Sequence, residues 1–333
     1  MRGNMLRLTI VFLMFTVFAV SAKNLKFAVV PKYYSVFFDE SGKGCQDAAA
    51  QIEGVECIYR GPVQGDVRIQ DKIIEELLNE GVDGIAVAVT ESRFLAKSSM
   101  QKAKKLGIPV ITYDSDFDTV TLEKYDNLRL AYIGTNNFEL GKALGEQLKK
   151  IRPAGGTLLI QTGRPDSPNL NLRIMGVRSA LSGKEYQNPP GEILKNDLGW
   201  TEVRLPIPNY DNINRSVKQL ESMLKVPSNK VDAFIAVGGW VQNDAPLYRT
   251  MIEPFKDKLE RKEIVLVISD ASEIQLKMLG DHLAHVNIGQ KPYEMGRQII
   301  FTLLKIIEKQ KYEEVIYTPL TYCTQDSYET CSK

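Results

Sequence analysis

Residues 107–114 read Gly107-Ile108-Pro109-Val110-Ile111-Thr112-Tyr113-Asp114, an apolar segment that begins at a glycine and ends at an aspartate. The run over residues 108–113 predicts a short buried strand. The preceding residues 94–106 predict a helix, and Gly107 ends it because glycine favours the position just after a helix. The stretch therefore predicts one helix–strand unit with a carboxylate at the end of the strand.

The same unit recurs along the chain. Further strands are predicted over residues 26–30, 55–59, 83–89, 130–133, 156–161, 202–205, 231–237, 263–268 and 284–288. Helices are predicted over residues 36–52, 69–79, 140–151, 169–181, 213–224 and 292–308. Strands separated by helices are typical of parallel sheets built from βαβ units. Because so many strands exceed one compact layer and the chain has 333 residues, we expect an α/β protein with two doubly wound, parallel-sheet lobes.

Composition excludes several classes of protein. Hydrophobic residues make up 44% and charged residues 25%, which excludes a disordered chain. The 42 basic and 41 acidic residues give a net charge of +1. That balance provides no basic footprint for nucleic acid and no polybasic membrane anchor.

The N-terminus has the features of an export signal. Arg2 and Arg7 precede an apolar run over residues 8–20, and Val20-Ser21-Ala22 provides small residues for cleavage. The run is shorter than the ~20 residues that a spanning helix needs, although an uncleaved membrane anchor is the alternative. We expect residues 1–22 to be a cleaved signal peptide and the mature protein to be periplasmic.

The four cysteines fall into two pairs that are local in sequence, Cys45 with Cys57 and Cys323 with Cys331. An oxidising compartment permits disulfides, so we expect both pairs to be oxidised, with free buried thiols as the alternative. Zinc spacing is lacking, and the only histidines are His282 and His285. We expect no metal and no cofactor.

Polar and aromatic residues follow the predicted strands. Ligands of open α/β sheets bind beyond the carboxyl ends of the strands, so these positions carry the most information about function. They are Lys32, Tyr33, Tyr34, Ser35, Phe37, Phe38, Asp114, Ser115, Asp116, residues 164–171, Arg173, Tyr210, Asp211, Gly238, Gly239, Trp240, Asp270 and Gln290. Aromatic planes beside carboxylates, an arginine and amides suit a polyhydroxylated small molecule.

Enzyme motifs are missing from the expected places. No Gly-x-Gly-x-x-Gly follows a strand, and neither a phosphate-binding Gly-x-x-x-x-Gly-Lys-Ser/Thr nor a Gly-x-Ser-x-Gly elbow occurs. A glycoside-acting enzyme that uses Asp114 and Asp270 as a carboxylate pair is the remaining alternative. We expect a binding protein and not an enzyme.

Five segments together resemble one family, the type I periplasmic binding proteins for monosaccharides, of the ribose- and galactose-binding group. The segments are Ser35-Val36-Phe37-Phe38, Gly107 to Asp114 as quoted above, Ile133-Gly134-Thr135-Asn136-Asn137 with Gly141-Lys142, Arg173-Ile174-Met175-Gly176, and Gly289-Gln290 before Gly296. The resemblance implies two lobes joined by a three-segment hinge near Thr135, Gln290 and Thr318. The N-terminal lobe would hold residues 23–134 plus 291–317, and the C-terminal lobe residues 135–290 plus 318–333.

The resemblance also implies roles for single residues. Phe37 or Phe38 would stack on a sugar ring, Asp114 would accept hydroxyls, and Arg173 would clamp the ring from the other lobe. The expected ligand set also includes positions at which this chain departs from the family pattern. It is Ser35, Phe37, Phe38, Asp114, Ser115, Arg173, Tyr210, Trp240, Asp270 and Gln290.

Three departures from the ribose-binding pattern bear on the ligand. Ser35 stands where that pattern has Asn, Ser115 stands where an Arg is common, and Gly238-Gly239-Trp240 replaces an Asn-Asp pair. A larger, more apolar or modified ligand than ribose is therefore plausible, including a furanosyl signal molecule.

The resemblance implies a monomer that delivers a sugar-like ligand to the membrane permease of an ABC importer. Its alternative partner is a chemoreceptor or a sensor kinase, in which case the protein is a ligand sensor.

Overall fold

The structure is a computed structural model that describes residues 24–225 and 231–331. The predicted signal peptide, residues 1–22, lies outside the described residues. None of the helices in the described ranges is both long and apolar enough to cross a membrane.

The first sheet begins at the start of the described chain. Its elements are β1 (Leu25–Val30), α1 (Val36–Ala49), β2 (Val55–Tyr59), α2 (Val67–Asn79), β3 (Gly84–Val87), α3 (Ser92–Lys97), α4 (Ser99–Leu106), β4 (Val110–Tyr113), α5 (Thr119–Lys124) and β5 (Ala131–Gly134). The strands are parallel in the order β2-β1-β3-β4-β5. Every residue of β3, β4 and β5 is buried, as expected for parallel strands covered by helices on both faces.

The second sheet repeats this plan. Its elements are α6 (Asn137–Ile151), β6 (Gly156–Thr162), α7 (Pro168–Ser182), β7 (Lys195–Asp197), β8 (Trp200–Glu202), β9 (Ile207–Pro208), α8 (Ile213–Lys225), β10 (Ala233–Ala236), a 3₁₀ turn (Trp240–Gln242), α9 (Ala245–Ile252), a 3₁₀ turn (Glu253–Phe255), α10 (Lys256–Glu260), β11 (Val265–Ser269), α11 (Glu273–Gly280) and β12 (Val286–Gly289). The chain then forms α12 (Pro292–Ile307), β13 (Val315–Tyr317) and β14 (Thr321–Thr324).

The chain passes between the two sheets at three places. It leaves the first sheet after β5, returns to it after β12, and leaves again after β13, because β13 pairs with β5 whereas β14 pairs with β12. The second sheet has the order β14-β12-β11-β10-β6-β8-β7, with the short β9 also paired to β6. The expected two-lobed, doubly wound α/β fold is confirmed, with β7 and β14 added as antiparallel edge strands.

Two predicted elements were wrong in detail. The strand predicted over residues 202–205 is instead β8, which ends at Glu202, and β9, which begins at Ile207; between them Leu205 is 69% exposed and cannot be a buried strand residue. The helix predicted over residues 94–106 is interrupted at Ser98. Asp71 of α2 explains the break, because it accepts hydrogen bonds from the Ser98 hydroxyl (2.7 Å) and from the Ser99 N–H (3.0 Å) that begins α4.

Two glycines allow α6 and α7 to approach closely. A Cβ on Gly141 would lie 1.9 Å from the Arg173 carbonyl oxygen, and one on Gly176 would lie 2.1 Å from the Phe138 carbonyl oxygen. Only residues without a side chain fit such a backbone contact. The contact fixes Arg173 beside the start of α6, which immediately follows the first crossing.

Both predicted disulfides are present. Cys45 of α1 is bonded to Cys57 of β2, and Cys323 of β14 is bonded to Cys331. They tie α1 to the neighbouring strand and hold the segment between β14 and Cys331 against the second lobe.

Candidate functional site

A cleft of about 60 Å³ lies between the lobes, at the carboxyl ends of both sheets. Strand ends of the first lobe contribute Lys32 and Asp114, and those of the second contribute Trp240, Asp270 and Gln290. The remaining lining residues are Tyr33, Ser35, Phe37, Phe38, Ser167, Asn169, Leu170, Arg173, Asp211, Gly238, Gly239 and Asn243. The topology thus brings together eight of the ten expected ligand residues, all except Ser115 and Tyr210.

Arg173 is the centre of a polar chain in the second lobe. Its guanidinium is 3% exposed and donates from Nε to Asn137 Oδ1 (2.8 Å), from Nη1 to the Val237 carbonyl (2.9 Å) and from Nη2 to Gln290 Oε1 (3.0 Å). Gln290 Nε2 donates in turn to Asp270 Oδ1 (2.7 Å), and Gly239 N–H donates to Asp270 Oδ2 (2.9 Å). These polar groups of the second lobe are therefore hydrogen-bonded to one another.

The Asp114 carboxylate has fewer hydrogen-bond donors in the protein than the Asp270 carboxylate has. It is 5% exposed, and its nearest ionic partner is Arg173 Nη2, 3.9 Å from Oδ1. Within the described ranges no donor lies within hydrogen-bond distance of its carboxylate. Burial raises the pKa of Asp114, aided by the charge of Asp270 and opposed by Lys32 and Arg173.

Two lobe-to-lobe contacts meet at Asn169. Lys32 Nζ and the Ser115 hydroxyl, both from the first lobe, donate to Asn169 Oδ1 at 3.2 Å and 3.3 Å. Ser115 is fully buried and is not among the residues that line the cleft, so its contact with a ligand stays a prediction. Burial lowers the pKa of Lys32, although Asp114 and Asp211 oppose that shift.

Asp211 lines the cleft instead of Tyr210. Both residues have left-handed backbone angles, with φ 55° and 62°, and such a pair turns the chain sharply. The Asp211 side chain reaches the cleft, whereas Tyr210 is 49% exposed and stacks against the Arg215 guanidinium at 4.9 Å. The sequence names both residues as following a strand, and the turn decides which of the two side chains reaches the cleft.

Aromatic residues form one wall. Phe38 is core, packed edge-to-face on Tyr33, Phe37 and Tyr113, while Phe37 is only partly buried. Trp240 donates its indole N–H to the Tyr33 hydroxyl across the cleft at 3.2 Å. Phe37 is therefore the better placed of the two phenylalanines to offer a face to a ligand.

Ser35 has a structural task at the same place. Its hydroxyl oxygen accepts from the Phe38 N–H (3.4 Å) and caps the N-terminus of α1. This bond fixes the start of the helix that carries Phe37 and Phe38.

The ligand prediction left out several lining residues. Lys32, Tyr33, Asn169 and Asp211 follow predicted strands, so their position in the sequence was a usable signal. Asn243 lies beyond the 3₁₀ turn, and nothing in its local sequence marks it. Among the described residues, no group of three or more His, Cys, Asp and Glu side chains is placed to hold a metal ion.

Several proteins with a similar sequence or structure have names that mention a sugar ligand. A solute-binding protein from Burkholderia graminis, solved in complex with D-arabinose, is 28% identical and has a TM-score of 0.78, covering 93% of this chain and 98% of that chain. The D-allose-binding periplasmic protein of Escherichia coli is 29% identical over 175 residues, which are 52% of this chain and 55% of that protein. The xylose/arabinose-binding protein of Sulfolobus acidocaldarius is 28% identical over 152 residues, 44% of this chain and 37% of that protein.

The chain thus spans about half or less of the length of these two curated relatives, at 55% and 37%. A family model described as a periplasmic binding protein domain matches residues 27–311. That match includes every residue that lines the cleft and all strands of both sheets except β13 and β14, which follow it. The chain belongs to the periplasmic binding protein family.

Proposed function

We propose that this chain is an exported solute-binding protein that captures a monosaccharide or similar polyol between its lobes in the periplasm and delivers it to the membrane permease of an ABC importer. The observation that carries the proposal is the Asp114 carboxylate, which is buried in the cleft and lacks a hydrogen-bond donor among the described residues. A carboxylate that lines a cleft and has no protein donor has free acceptor capacity, which ligand hydroxyls would use.

The chemistry of the cleft favours vicinal hydroxyls. Lys32 and Asn169 offer N–H donors beside the acceptors Asp114 and Asp211. A sugar hydroxyl both donates and accepts, so neighbouring hydroxyls can use such alternating groups at once. Phe37 offers an apolar face of the kind on which sugar C–H groups pack.

Closure of the lobes is the proposed means of signalling occupancy. Asn169 and Trp240 of the second lobe bond to Lys32 and Tyr33 of the first. A ligand that contacts both lobes stabilises this closed arrangement by the difference between its affinities for the closed and open forms. The membrane permease would then bind the closed form.

Calorimetry of the mature protein tests the proposal. Pentoses, hexoses, polyols and furanosyl signal molecules are first screened by thermal shift, and each ligand that stabilises the protein is then titrated. We expect at least one neutral sugar to bind with one-to-one stoichiometry and to be recovered chemically unchanged. Absence of binding across the panel would refute the proposal, and conversion of the sugar would favour the glycoside-acting alternative.

The partner is a second part of the proposal. Reconstitution with a candidate ABC permease and its ATPase should give ligand-dependent ATP hydrolysis. Ligand-dependent binding to a chemoreceptor or sensor kinase instead would assign the protein to sensing.

A further inference from the structure

A second cavity of about 50 Å³ adjoins the cleft on the side of the hinge. Phe37, Asn243, Asp270 and Gln290 line both spaces, so the two cavities share a wall. We call the second space the side compartment. Its size is close to that of the main cleft, and a ligand that filled only the main cleft would leave it to water.

The side compartment offers polar groups from both lobes. Glu40 of α1 lines the compartment and is also exposed to solvent, and Asn243 of the second lobe lines both cavities. Neither side chain has a hydrogen bond to another described residue. By contrast, Ser272 and Gln275 on the far wall bond to each other in the cap of α11. The free hydrogen-bonding capacity is therefore concentrated at Glu40 and Asn243.

The charged groups around the two cavities affect the pKa of the Glu40 carboxylate. Partial burial raises the pKa of Glu40, the charge of Asp270 adds to that effect, and Lys291 opposes it. Its neighbour Asp39 on the same helix accepts a hydrogen bond from the Tyr59 hydroxyl (3.1 Å) and does not line the compartment. The two adjacent acids thus lie in different surroundings.

We propose that the ligand carries a hydroxyl-bearing exocyclic arm, which extends past Phe37 into the side compartment and is held between Asn243 and Glu40. The inference rests on the proposed function and narrows the ligand class. A hexose-type hydroxymethyl group is the smallest arm that meets the description, and a pentopyranose ring has none. Glu40 is then a specificity-determining residue, because it contacts the arm and not the ring.

Matched sugars test the proposal by calorimetry. D-ribose with D-allose, D-xylose with D-glucose and L-arabinose with D-galactose are pairs that share ring stereochemistry and differ by the hydroxymethyl group. In the pair that binds best, we expect the hexose to bind about tenfold more tightly, as one hydrogen bond to a charged group provides. Glu40→Ala should remove most of that preference, whereas Asp39→Ala, the matched loss of charge on the same helix turn, should preserve it.

The outcomes separate this inference from the function on which it rests. Binding of pentoses as tightly as hexoses would overturn the exocyclic arm and leave the sugar-binding function intact. A Glu40→Ala variant that keeps the full hexose preference would also overturn it. If none of these sugars nor any other polyol binds, the proposed function itself fails.

Discussion

Asp114 follows β4 in the first lobe and Asp270 follows β11 in the second, and the two residues occupy corresponding places. Both have left-handed backbones, with φ 57° and 70°, and both N–H groups donate to the neighbouring strand, to the carbonyls of Ile133 (3.0 Å) and Ile288 (2.7 Å). Their carboxylates differ, because Asp270 accepts from Gly239 and Gln290 whereas Asp114 lacks donors among the described residues. The second-lobe aspartate is thus held by protein donors, whereas the first-lobe aspartate keeps its acceptor capacity free.

The largest expected effect is on binding through Asp114. Asp114→Ala should weaken binding of the identified sugar by about 2–5 kcal/mol, because the ligand's hydroxyls and the facing Arg173 lose a buried charged partner. Arg173→Ala should cost a similar amount. Titration calorimetry measures both, with Asp116→Ala as the control, since Asp116 pairs with Arg129 and does not line the cleft. Unchanged affinity in the Asp114 and Arg173 variants would refute the site.

Stability of the ligand-free protein should separate the two aspartates. Asp270→Ala leaves the Gly239 N–H and the Gln290 amide without their acceptor, and we expect a loss of about 1–3 kcal/mol in the free energy of unfolding. Asp114→Ala removes a buried charge that has no hydrogen-bond donor in the described part of the protein, so we expect no loss in the free energy of unfolding. Urea denaturation without sugar measures both variants, and equal losses would contradict the proposed difference between the lobes.

The location of both aspartates could be predicted from the sequence, because a local apolar run is enough to show where a buried strand ends. The apolar runs that end at Tyr113 and Ser269 are short and clearly bounded, so Asp114 and Asp270 could be assigned to strand ends. The different hydrogen bonding of the two carboxylates could not be predicted from the sequence, since Gly239 and Gln290 are distant in sequence from Asp270. The choice of Asp211 over Tyr210 likewise depends on two successive left-handed residues.

Trp240 tests whether the lobes meet as described. Trp240→Phe removes the indole N–H bond to Tyr33 and should weaken ligand-dependent closure by about 0.5–1.5 kcal/mol. The chain has two tryptophans, and Trp200 lies fully buried in β8, away from the cleft. Sugar should therefore change the fluorescence of a Trp200→Phe variant and not that of Trp240→Phe. A response confined to Trp200 would contradict the contact.

The smallest expected effect is a pH dependence that Asp114 imposes in opposite directions on stability and binding. Burial raises its pKa above the value near 3.9 of an unfolded aspartate, and the pKa of Asp211 is raised for the same main reason. The native protein then holds protons more tightly than the unfolded chain does. The stability that Asp114 contributes by binding this proton is complete below the unfolded pKa. It is lost as the pH rises through the native pKa.

Sugar binding should follow the reverse course, since the ionised carboxylate is the better acceptor of ligand hydroxyls. Affinity should therefore rise with pH through the same window, while the stability of the ligand-free protein falls. Calorimetry and urea denaturation between about pH 4 and pH 7 measure the two slopes. Asp114→Asn should flatten both, leaving a remainder from Asp211, and a variant that keeps the full slopes would assign the titration to another group. Opposite slopes that depend on Asp114 would show that the same unsatisfied carboxylate destabilises the empty protein and binds its ligand.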